Sequence, residues 1–283
     1  MNKTYLYIAL LILLSCMGKK KDFRSPAGYD LTKPDKFYVP EALDEVSGIC
    51  FFNGNNDTLY AEQDEEGKVY YLHLGDKKAR HVKFAKGGDY EDIVVANGQL
   101  IVLRSDGRLF SFPFHQIHEE EVTDVKEWDG LLPKGEYEGL CADVKNNQLY
   151  VLCKNCPADK TTKAVTAYIL QLQPGGNIIQ SGSASISVKT IEVLSGEKKF
   201  KFNPSGLAKN PKTGQYYIVS AVNDMLVIAD SDWTVKEVYH IDPSTFRQPE
   251  GIAFDNENNL YISNEGDELS RGNVLKFVFS KNN

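Results

Sequence analysis

The sequence is short of cationic side chains relative to its acids. It contains 32 Lys and Arg against 39 Asp and Glu, and its formal net charge is −7. Residues 1–21 hold four lysines and no acid, so the rest of the chain carries 28 basic against 39 acidic side chains. A body this acidic argues against nucleic acid as a partner, because phosphate binding needs clustered Lys and Arg. Solubility or a cationic ligand accounts for the excess acid.

Several catalytic motifs are absent from the sequence. No G-x-S-x-G, H-E-x-x-H or G-x-x-x-x-G-K-S/T occurs, so serine-hydrolase, zincin and P-loop chemistry have no support. Among five cysteines there is one C-x-x-C, at Cys153 and Cys156. A structural zinc site would need two more ligands, and no thioredoxin-like strand–helix context surrounds the pair. We therefore favour packing or a local disulfide for these cysteines over metal or redox chemistry.

The N-terminus carries a short apolar segment. Leu6–Leu14 is apolar apart from Tyr7, follows the positive Lys3, and is too short to span a bilayer as a mature helix. It ends in Leu13-Leu14-Ser15-Cys16, which resembles a bacterial lipobox, where cleavage precedes a cysteine that then receives lipid. We expect residues 1–15 to be a lipoprotein signal peptide and Cys16 to be lipidated. The alternative is a secretory signal with a chance cysteine.

Residues 16–35 have the composition of a tether between the lipid and a folded domain. They are polar, contain three consecutive lysines at 19–21, and include Pro26, Gly28 and Pro34. In some bacteria an acidic run after the lipidated cysteine directs lipoproteins to the exterior. The basic run here therefore favours a location in the cell envelope that faces the periplasm, with the membrane as a partner through the lipid on Cys16.

A short phrase recurs five times along the remaining chain. Each copy opens an apolar stretch and is followed about ten residues later by a second apolar run. The copies are Ser47-Gly48-Ile49, Glu91-Asp92-Ile93, Glu138-Gly139-Leu140, Ser205-Gly206-Leu207 and Glu250-Gly251-Ile252. The intervals between them are 44, 47, 67 and 45 residues. Short strands repeating every 40–50 residues or so indicate a β-propeller with one blade per repeat.

The repeats predict an all-β fold, a five-bladed β-propeller over residues 36–283. Each repeat contains a third apolar strand and a more polar fourth one, except the last, which lacks a fourth strand before the chain ends. Phe37-Tyr38-Val39 precedes the first repeat and can supply that strand, so that an N-terminal strand closes the ring. The 67-residue interval predicts insertions in two turns; a degenerate sixth blade there is the alternative. No segment of useful length shows helical periodicity.

The repeated phrase resembles the SdiA-regulated family of propellers. The match rests on Glu45-Val46-Ser47-Gly48-Ile49, Glu138-Gly139-Leu140, Pro249–Asp255 and Asn259–Glu265, and the similarity extends from about residue 35 to the C-terminus. The family is named for its regulation and has no agreed activity. Asp92 stands where Gly is usual, and Ser205 stands where Glu is usual, so a strictly fivefold site is not expected.

The strand order of a propeller places candidate functional residues at one channel mouth, because strand one begins where strand two ends. The predicted mouth residues are Ser47, Glu62, Glu91, Arg104, Glu138, Lys154, Ser205, Glu250 and Glu265. Glu91, Glu138 and Glu250 occupy three of five equivalent positions and offer the oxygen ligands that Ca²⁺ prefers. The structural alternative is neutralisation within blades, of Glu91 by Arg104 and of Glu138 by Lys154.

These features favour a lipid-anchored binding platform whose partner is a protein, a glycan or a small molecule, with Ca²⁺ at the acidic mouth. The competing class is a metal-dependent hydrolase of lactones or phosphoesters, which would resemble the gluconolactonase propellers. Those enzymes hold their metal with Glu, Asn and Asp from separate strands or loops. Glu250 matches the Glu position, but Ser205 takes the Asn position of the phrase Pro-Asn-Gly-Leu, which weakens the enzyme hypothesis.

Overall fold

The structure is a computed structural model and describes residues 23–281. Twenty β-strands form five four-stranded antiparallel sheets arranged as the blades of a propeller. The strands of the first two blades are β2 (Val46–Phe51), β3 (Leu59–Gln63), β4 (Lys68–Leu72) and β5 (Arg80–Lys83), then β6 (Tyr90–Ala96), β7 (Gln99–Arg104), β8 (Leu109–Pro113) and β9 (Lys126–Trp128). Those of the third are β10 (Glu136–Asp143), β11 (Gln148–Asn155), β12 (Ala164–Leu172) and β13 (Ile178–Ser187). Those of the fourth are β14 (Gly206–Lys209), β15 (Tyr216–Ser220), β16 (Met225–Ala229) and β17 (Val235–His240).

The fifth blade joins the two ends of the described chain. It consists of β1 (Asp35–Tyr38), β18 (Pro249–Phe254), β19 (Leu260–Asn264) and β20 (Asn273–Phe277). Strand β1 pairs antiparallel with β20, with Phe37 opposite Val274, and becomes the outer strand of this sheet. The prediction of five blades and of closure by an N-terminal strand is confirmed. Strand β1 covers the outer edge of β20, which would otherwise be an unpaired apolar edge and a route to edge-to-edge aggregation.

The hydrophobic core lies in five layers, each between two neighbouring blades. Successive residues of a strand face opposite sides of its sheet, so that each blade contributes to two layers. In β3, for example, Leu59 and Ala61 pack towards the fifth blade, whereas Tyr60 packs towards the second. This alternation explains why the second and third strands of each blade are apolar over most of their length: both faces are buried there.

The segment that precedes β1 is part of the folded body, which corrects the prediction of a tether as far as residue 35. Tyr29 and Leu31 are each 3% exposed and pack in the layer between the fourth and fifth blades. The Tyr29 hydroxyl donates to the carbonyl of Asn258 at 2.7 Å. The apolar side chains at 29 and 31 therefore anchor this segment across the seam between two blades. The predicted signal peptide and Cys16 lie outside the described residues.

The third blade differs from the prediction because its insertions form helices. The polar fourth strand of this repeat is β13, and a helix that the sequence does not predict, α2 (Val188–Ser195), follows it. The Ser187 side chain caps α2 by accepting from the Thr190 N–H at 3.2 Å, and Gly196 ends it at φ 77°. A shorter helix, α1 (Asp159–Thr162), lies between β11 and β12. No helix among residues 23–281 is long and apolar enough to cross a membrane.

Candidate functional site: the acidic channel mouth

Irregular strand starts surround one mouth of the axial channel. The pairing of the first and second strands shifts register near the start of four blades, between Val46 and Ile49, Tyr90 and Asp92, Tyr137 and Gly139, and Pro249 and Ile252. Ser47, Glu91, Glu138 and Glu250 all lie at these β-bulges. A bulge redirects a side chain out of the strand alternation. The predicted metal ligands Glu91, Glu138 and Glu250 therefore sit at equivalent, irregular positions.

The glycines of the repeated phrase are required by close packing around the axis. A Cβ atom on Gly48 would lie 2.5 Å from the Cα of Asp92 in the next blade. In the second blade Asp92 itself occupies the glycine position. Its carboxylate accepts from the Ile93 N–H at 2.8 Å and from the Leu140 N–H of the third blade at 2.6 Å. The repeated glycine is thus mainly a packing feature, and Asp92 replaces it with an inter-blade cross-link.

Glu138 is neutralised by Lys154, as the pairing alternative predicted. The two side chains form an ion pair, and the Lys154 amino group also lies 3.6 Å from the Glu136 carboxylate. Glu138 is only 4% exposed. A carboxylate this buried is stable in the charged form only with a partner. Glu138 is therefore already partnered at the mouth.

The predicted pairing of Glu91 with Arg104 is wrong. The Arg104 guanidinium binds the Asp106 carboxylate, with N–O distances of 3.1 and 2.6 Å. Arg104 lies opposite Tyr90 in the register of β6 and β7, whereas Glu91 is the bulged residue that follows. Arg104 and Glu91 therefore form no ion pair within 4.0 Å, and the charge of Arg104 is directed to Asp106 instead.

Glu91 and Glu250 lack a dedicated cation. Burial and then the Asp89 carboxylate raise the pKa of Glu91 to about 8. Burial and then Glu265 raise the pKa of Glu250 to about 8 as well. Lys154 lowers both values without restoring them to the usual range. Glu250 also raises the pKa of Glu91, so side chains from the second and fifth blades share one electrostatic environment.

Further carboxyl groups converge on the same mouth from the second strands and from the residues that follow them. Glu62 is completely buried, accepts from the Gly48 N–H at 2.6 Å through Oε1, and leaves Oε2 with no hydrogen-bond partner among the described residues. Burial raises its pKa well above the usual value. Glu265 accepts from the Gln248 side chain at 2.7 Å, and burial again raises its pKa.

Asp64, which the sequence also places at this mouth after the second strand, influences more of the neighbouring carboxyl groups than its position in the sequence indicates. Its charge raises the pKa of Glu62, Glu91, Glu250 and Glu265 alike. Its own pKa is raised, mainly by burial, and its Oδ1 is buried without a hydrogen-bond partner among the described residues. The repeats place Asp64 only just beyond a second strand. Its influence reaches glutamates of the second and fifth blades, which spacing along one strand does not predict.

Ser47 and Ser205 belong to the channel wall. The carbonyl of Ser47 accepts from the Ser263 hydroxyl at 2.6 Å, and the Ser205 hydroxyl donates to the carbonyl of Pro249 at 2.5 Å. Each contact links the fifth blade to a neighbour. The Ser205 hydroxyl is therefore engaged between blades and is a poor substitute for the asparagine ligand of the gluconolactonase propellers.

The carboxylate oxygens at the mouth are chemically suited to a hard cation, but they are too far apart to coordinate one together. Carboxylate oxygens are the ligands that Ca²⁺ prefers, and two of them lack any partner. The ligand atoms of Glu91, Glu138 and Glu250 do not all lie within 4.8 Å of one another; over residues 23–281 only Cys153, Cys156 and Asp159 form such a group of three. Those two cysteines form a disulfide, as one interpretation predicted. A cation at the mouth would require inward movement of carboxylates or bridging water.

Comparison with known proteins establishes the family and the fold. The model of the SdiA-regulated family matches residues 26–268. The chain belongs to the SdiA-regulated family. The match begins three residues before Tyr29, in agreement with the finding that this segment is part of the folded body. No curated protein matches the sequence at a significant level.

Solved structures similar to the SdiA-regulated propeller include both enzymes and a calcium-binding protein. A glutaminyl cyclase of Myxococcus xanthus is 15% identical, with a TM-score of 0.57 and coverage of 87% of this chain and 95% of that one. A luciferin-regenerating enzyme is 12% identical, with a TM-score of 0.51 and coverage of 87% and 95%. Regucalcin of Agrobacterium tumefaciens, a calcium-binding protein, is 13% identical, with a TM-score of 0.50 and coverage of 89% and 94%. Identities this low establish the propeller fold alone.

Proposed function

We propose that this SdiA-regulated propeller is a lipid-anchored binding protein of the bacterial cell envelope whose acidic mouth takes up a divalent cation, Ca²⁺ in the first instance. The cation would help to form a platform for a protein, glycan or small-molecule ligand. The acidic mouth comprises Glu62, Asp64, Glu91, Glu138, Glu250 and Glu265, together with Lys154. The hydrolase alternative gains no support from the engaged Ser205 hydroxyl.

The observation that carries the proposal is the unpartnered Oε2 of Glu62 beside other uncompensated carboxyl groups. A buried polar atom without a hydrogen bond is costly, and like charges around it add repulsion. Lys154 alone does not cancel five or six carboxylates. A bound cation would supply both the missing partner for Glu62 and the missing positive charge.

Cation binding should depend on pH, because the proposed ligands are protonated in the free protein. Glu91 and Glu250 have pKa values of about 8, so Ca²⁺ must displace protons from them near neutral pH. We expect the Ca²⁺-dependent rise in melting temperature to be larger at pH 9 than at pH 6. At 100 times the dissociation constant the added stability is about 2.7 kcal/mol.

The measurement is a series of thermal melts in EDTA and in millimolar Ca²⁺ at pH 6, 7.5 and 9. Glu91→Gln/Glu250→Gln should lose most of the shift, whereas Glu119→Gln, an exposed glutamate elsewhere, should retain it. No Ca²⁺-dependent shift at any pH would refute the cation proposal. A shift that survives the double substitution would place the cation outside the acidic mouth.

The anchor is tested separately. Cys16→Ser should abolish incorporation of labelled fatty acid and release the protein from the membrane fraction, because a lipid chain is attached through the cysteine sulfur. The Ca²⁺ response should be unchanged in this variant. Continued labelling of Cys16→Ser would disprove the lipobox interpretation and leave the propeller without its proposed membrane attachment.

A further inference from the structure

A second cavity, about 510 Å³ in volume, lies on the outside of the third blade beside its two helices. Its floor is apolar: Val165, Val188 and Phe202 are almost completely buried, and Phe200 is half-buried beside them. The Cys153–Cys156 disulfide contributes Cys156 to the wall. This volume falls within the range of small-molecule sites, roughly 300–1,000 Å³.

The rim of this cavity is strongly basic in a protein that is acidic overall. Five lysines line it: Lys154, Lys160, Lys163, Lys199 and Lys201. The acids on the rim are Asp159 and Glu192, and the Asp159 carboxylate is engaged by the N–H and hydroxyl of Thr166 at 3.0 and 2.5 Å. We call this site the lysine-rimmed pocket.

Four of the rim lysines have no acidic partner. Lys160, Lys163, Lys199 and Lys201 are exposed, and none has a carboxylate within 4.0 Å over residues 23–281. Only Lys154 is paired, with Glu138 at the acidic mouth. The unpaired ammonium groups make the pocket opening complementary to an anion, in contrast to the channel mouth next to it.

The lysine-rimmed pocket is produced by the insertions that distinguish the third blade. Helix α1 and the following residues supply Asp159, Lys160 and Lys163, whereas α2 and the chain after it supply Val188, Glu192 and residues 199–202. The four other blades carry no α-helix among their described residues. Helices α1 and α2 are not among the strands that build the propeller ring, so they serve a purpose other than closing it.

We infer that the lysine-rimmed pocket binds a single amphipathic anion, a carboxylate on an unbranched or aromatic apolar body, with the body on the phenylalanine and valine floor and the carboxylate among the lysines. The floor removes the apolar surface of the ligand from water, and the unpaired ammonium groups select the charged head. Each further methylene that the floor covers should tighten binding by about fourfold. This inference is independent of the proposed cation site.

The test uses simple acyl carboxylates as probes, at concentrations below those at which they form micelles. Dissociation constants of octanoate and decanoate are measured by titration calorimetry, together with decanol and decyltrimethylammonium as neutral and cationic controls. We expect decanoate to bind more tightly than octanoate by about 15-fold for its two extra methylenes. Decanol should bind at least tenfold more weakly than decanoate, and decyltrimethylammonium should not bind.

Two substitutions assign the site. Lys199→Glu/Lys201→Glu reverses two exposed rim charges and should weaken decanoate binding by tenfold or more. The matched control Lys189→Glu/Lys198→Glu makes the same change of charge at exposed lysines outside the lining, and should leave the constant within twofold. Ala164→Phe places a ring in the cavity and should abolish binding of decanoate. The rim variant is sufficient by itself if Ala164→Phe does not fold.

Four results would overturn the inference. These are absence of decanoate binding, equal affinity for decanol, equal weakening by both lysine pairs, and unchanged affinity in a folded Ala164→Phe variant. Val193 and Leu194 on α2 are 73% and 41% exposed, so vesicles containing anionic phospholipid form a separate arm. Binding to those vesicles without binding of monomeric decanoate would make this face a membrane contact instead of a pocket for one molecule.

Discussion

Carboxyl groups at the two ends of the axial channel have pKa values that are shifted in opposite directions. At the acidic mouth, burial raises the pKa of Glu91 and Glu250 to about 8, and neighbouring acids add to the effect. At the opposite end, burial also acts on Asp255, but hydrogen bonds from Asn259 and Asn56 outweigh it and lower the pKa. Burial thus has opposite outcomes, depending on how many donors surround the carboxylate.

Asp255 shows what a fully satisfied carboxylate looks like in this fold. It accepts from the Asn259 backbone and side chain at 2.8 Å each, from Asn56 at 2.7 Å and from the Tyr261 hydroxyl at 2.9 Å. Asp143 lies at the same end and is similarly bound, with the Lys209 amino group at 2.5 Å. Carboxylates that serve the fold are saturated with donors. Most of those at the acidic mouth are not, and this difference is the reason for the proposed cation binding there.

The largest effect on stability should come from removing the hydrogen-bonded carboxylate of Asp255, at the end of the channel opposite the acidic mouth. Asp255→Ala leaves the Asn56, Asn259 and Tyr261 donors without an acceptor, and we expect a loss of about 2–4 kcal/mol in the free energy of unfolding. Urea denaturation at pH 7 measures it. Glu250→Ala at the other end is the comparison and should cost far less. Equal losses for the two variants would remove the distinction between structural and binding carboxylates.

The next effect is the dependence of stability on pH. The folded-state pKa of Glu91 and Glu250 is raised, so their contribution to stability is complete below the ordinary carboxyl pKa of about 4.3 and is lost as the pH rises through about 8. Glu91→Gln/Glu250→Gln, which is always neutral, should be more stable than the unsubstituted protein by roughly 1–3 kcal/mol at pH 9 and no more stable at pH 4.

This pH experiment is done in EDTA, so that a bound cation does not mask the repulsion. Denaturation midpoints are compared from pH 4 to pH 9 for the two proteins. The cost at high pH corresponds to a fall in melting temperature of roughly 2–4 °C per kcal/mol for a domain of this size. Parallel pH profiles for the two proteins would show that these glutamates are not the source of the electrostatic cost.

The smallest effect on stability should follow removal of Arg104, which we wrongly predicted to be the partner of Glu91. Arg104→Gln breaks a pair with Asp106, whose side chain is 49% exposed, and such surface pairs contribute about 0–1 kcal/mol. We expect little change in stability and an unchanged pH profile, because Arg104 does not neutralise Glu91. A steeper pH profile in Arg104→Gln, measured by the same denaturation series, would restore Arg104 to the electrostatics of the mouth.

The repeats predicted the architecture well because each of the five blades imposes the same local requirement on its own stretch of sequence. Each copy needs a small residue at the axis and two apolar strands buried on both faces, and these needs appear directly as composition and spacing. The ion pair of Glu138 with Lys154 also followed from neighbouring strands. The helix α2 was missed because its capping serine and terminal glycine lie within a stretch rich in β-branched residues, where local patterns favour a strand.

The sequence by itself thus determined the family, the five blades, the closure by β1 and the presence of glutamates at equivalent strand starts. Only the tertiary structure decided which of those glutamates lack a partner. The β-bulge after Tyr90 turns Glu91 away from Arg104, and the arrangement of blades brings Asp64 close to carboxylates from two others. Burial and electrostatic repulsion depend on distances between residues far apart in the chain, and spacing along one strand does not encode them.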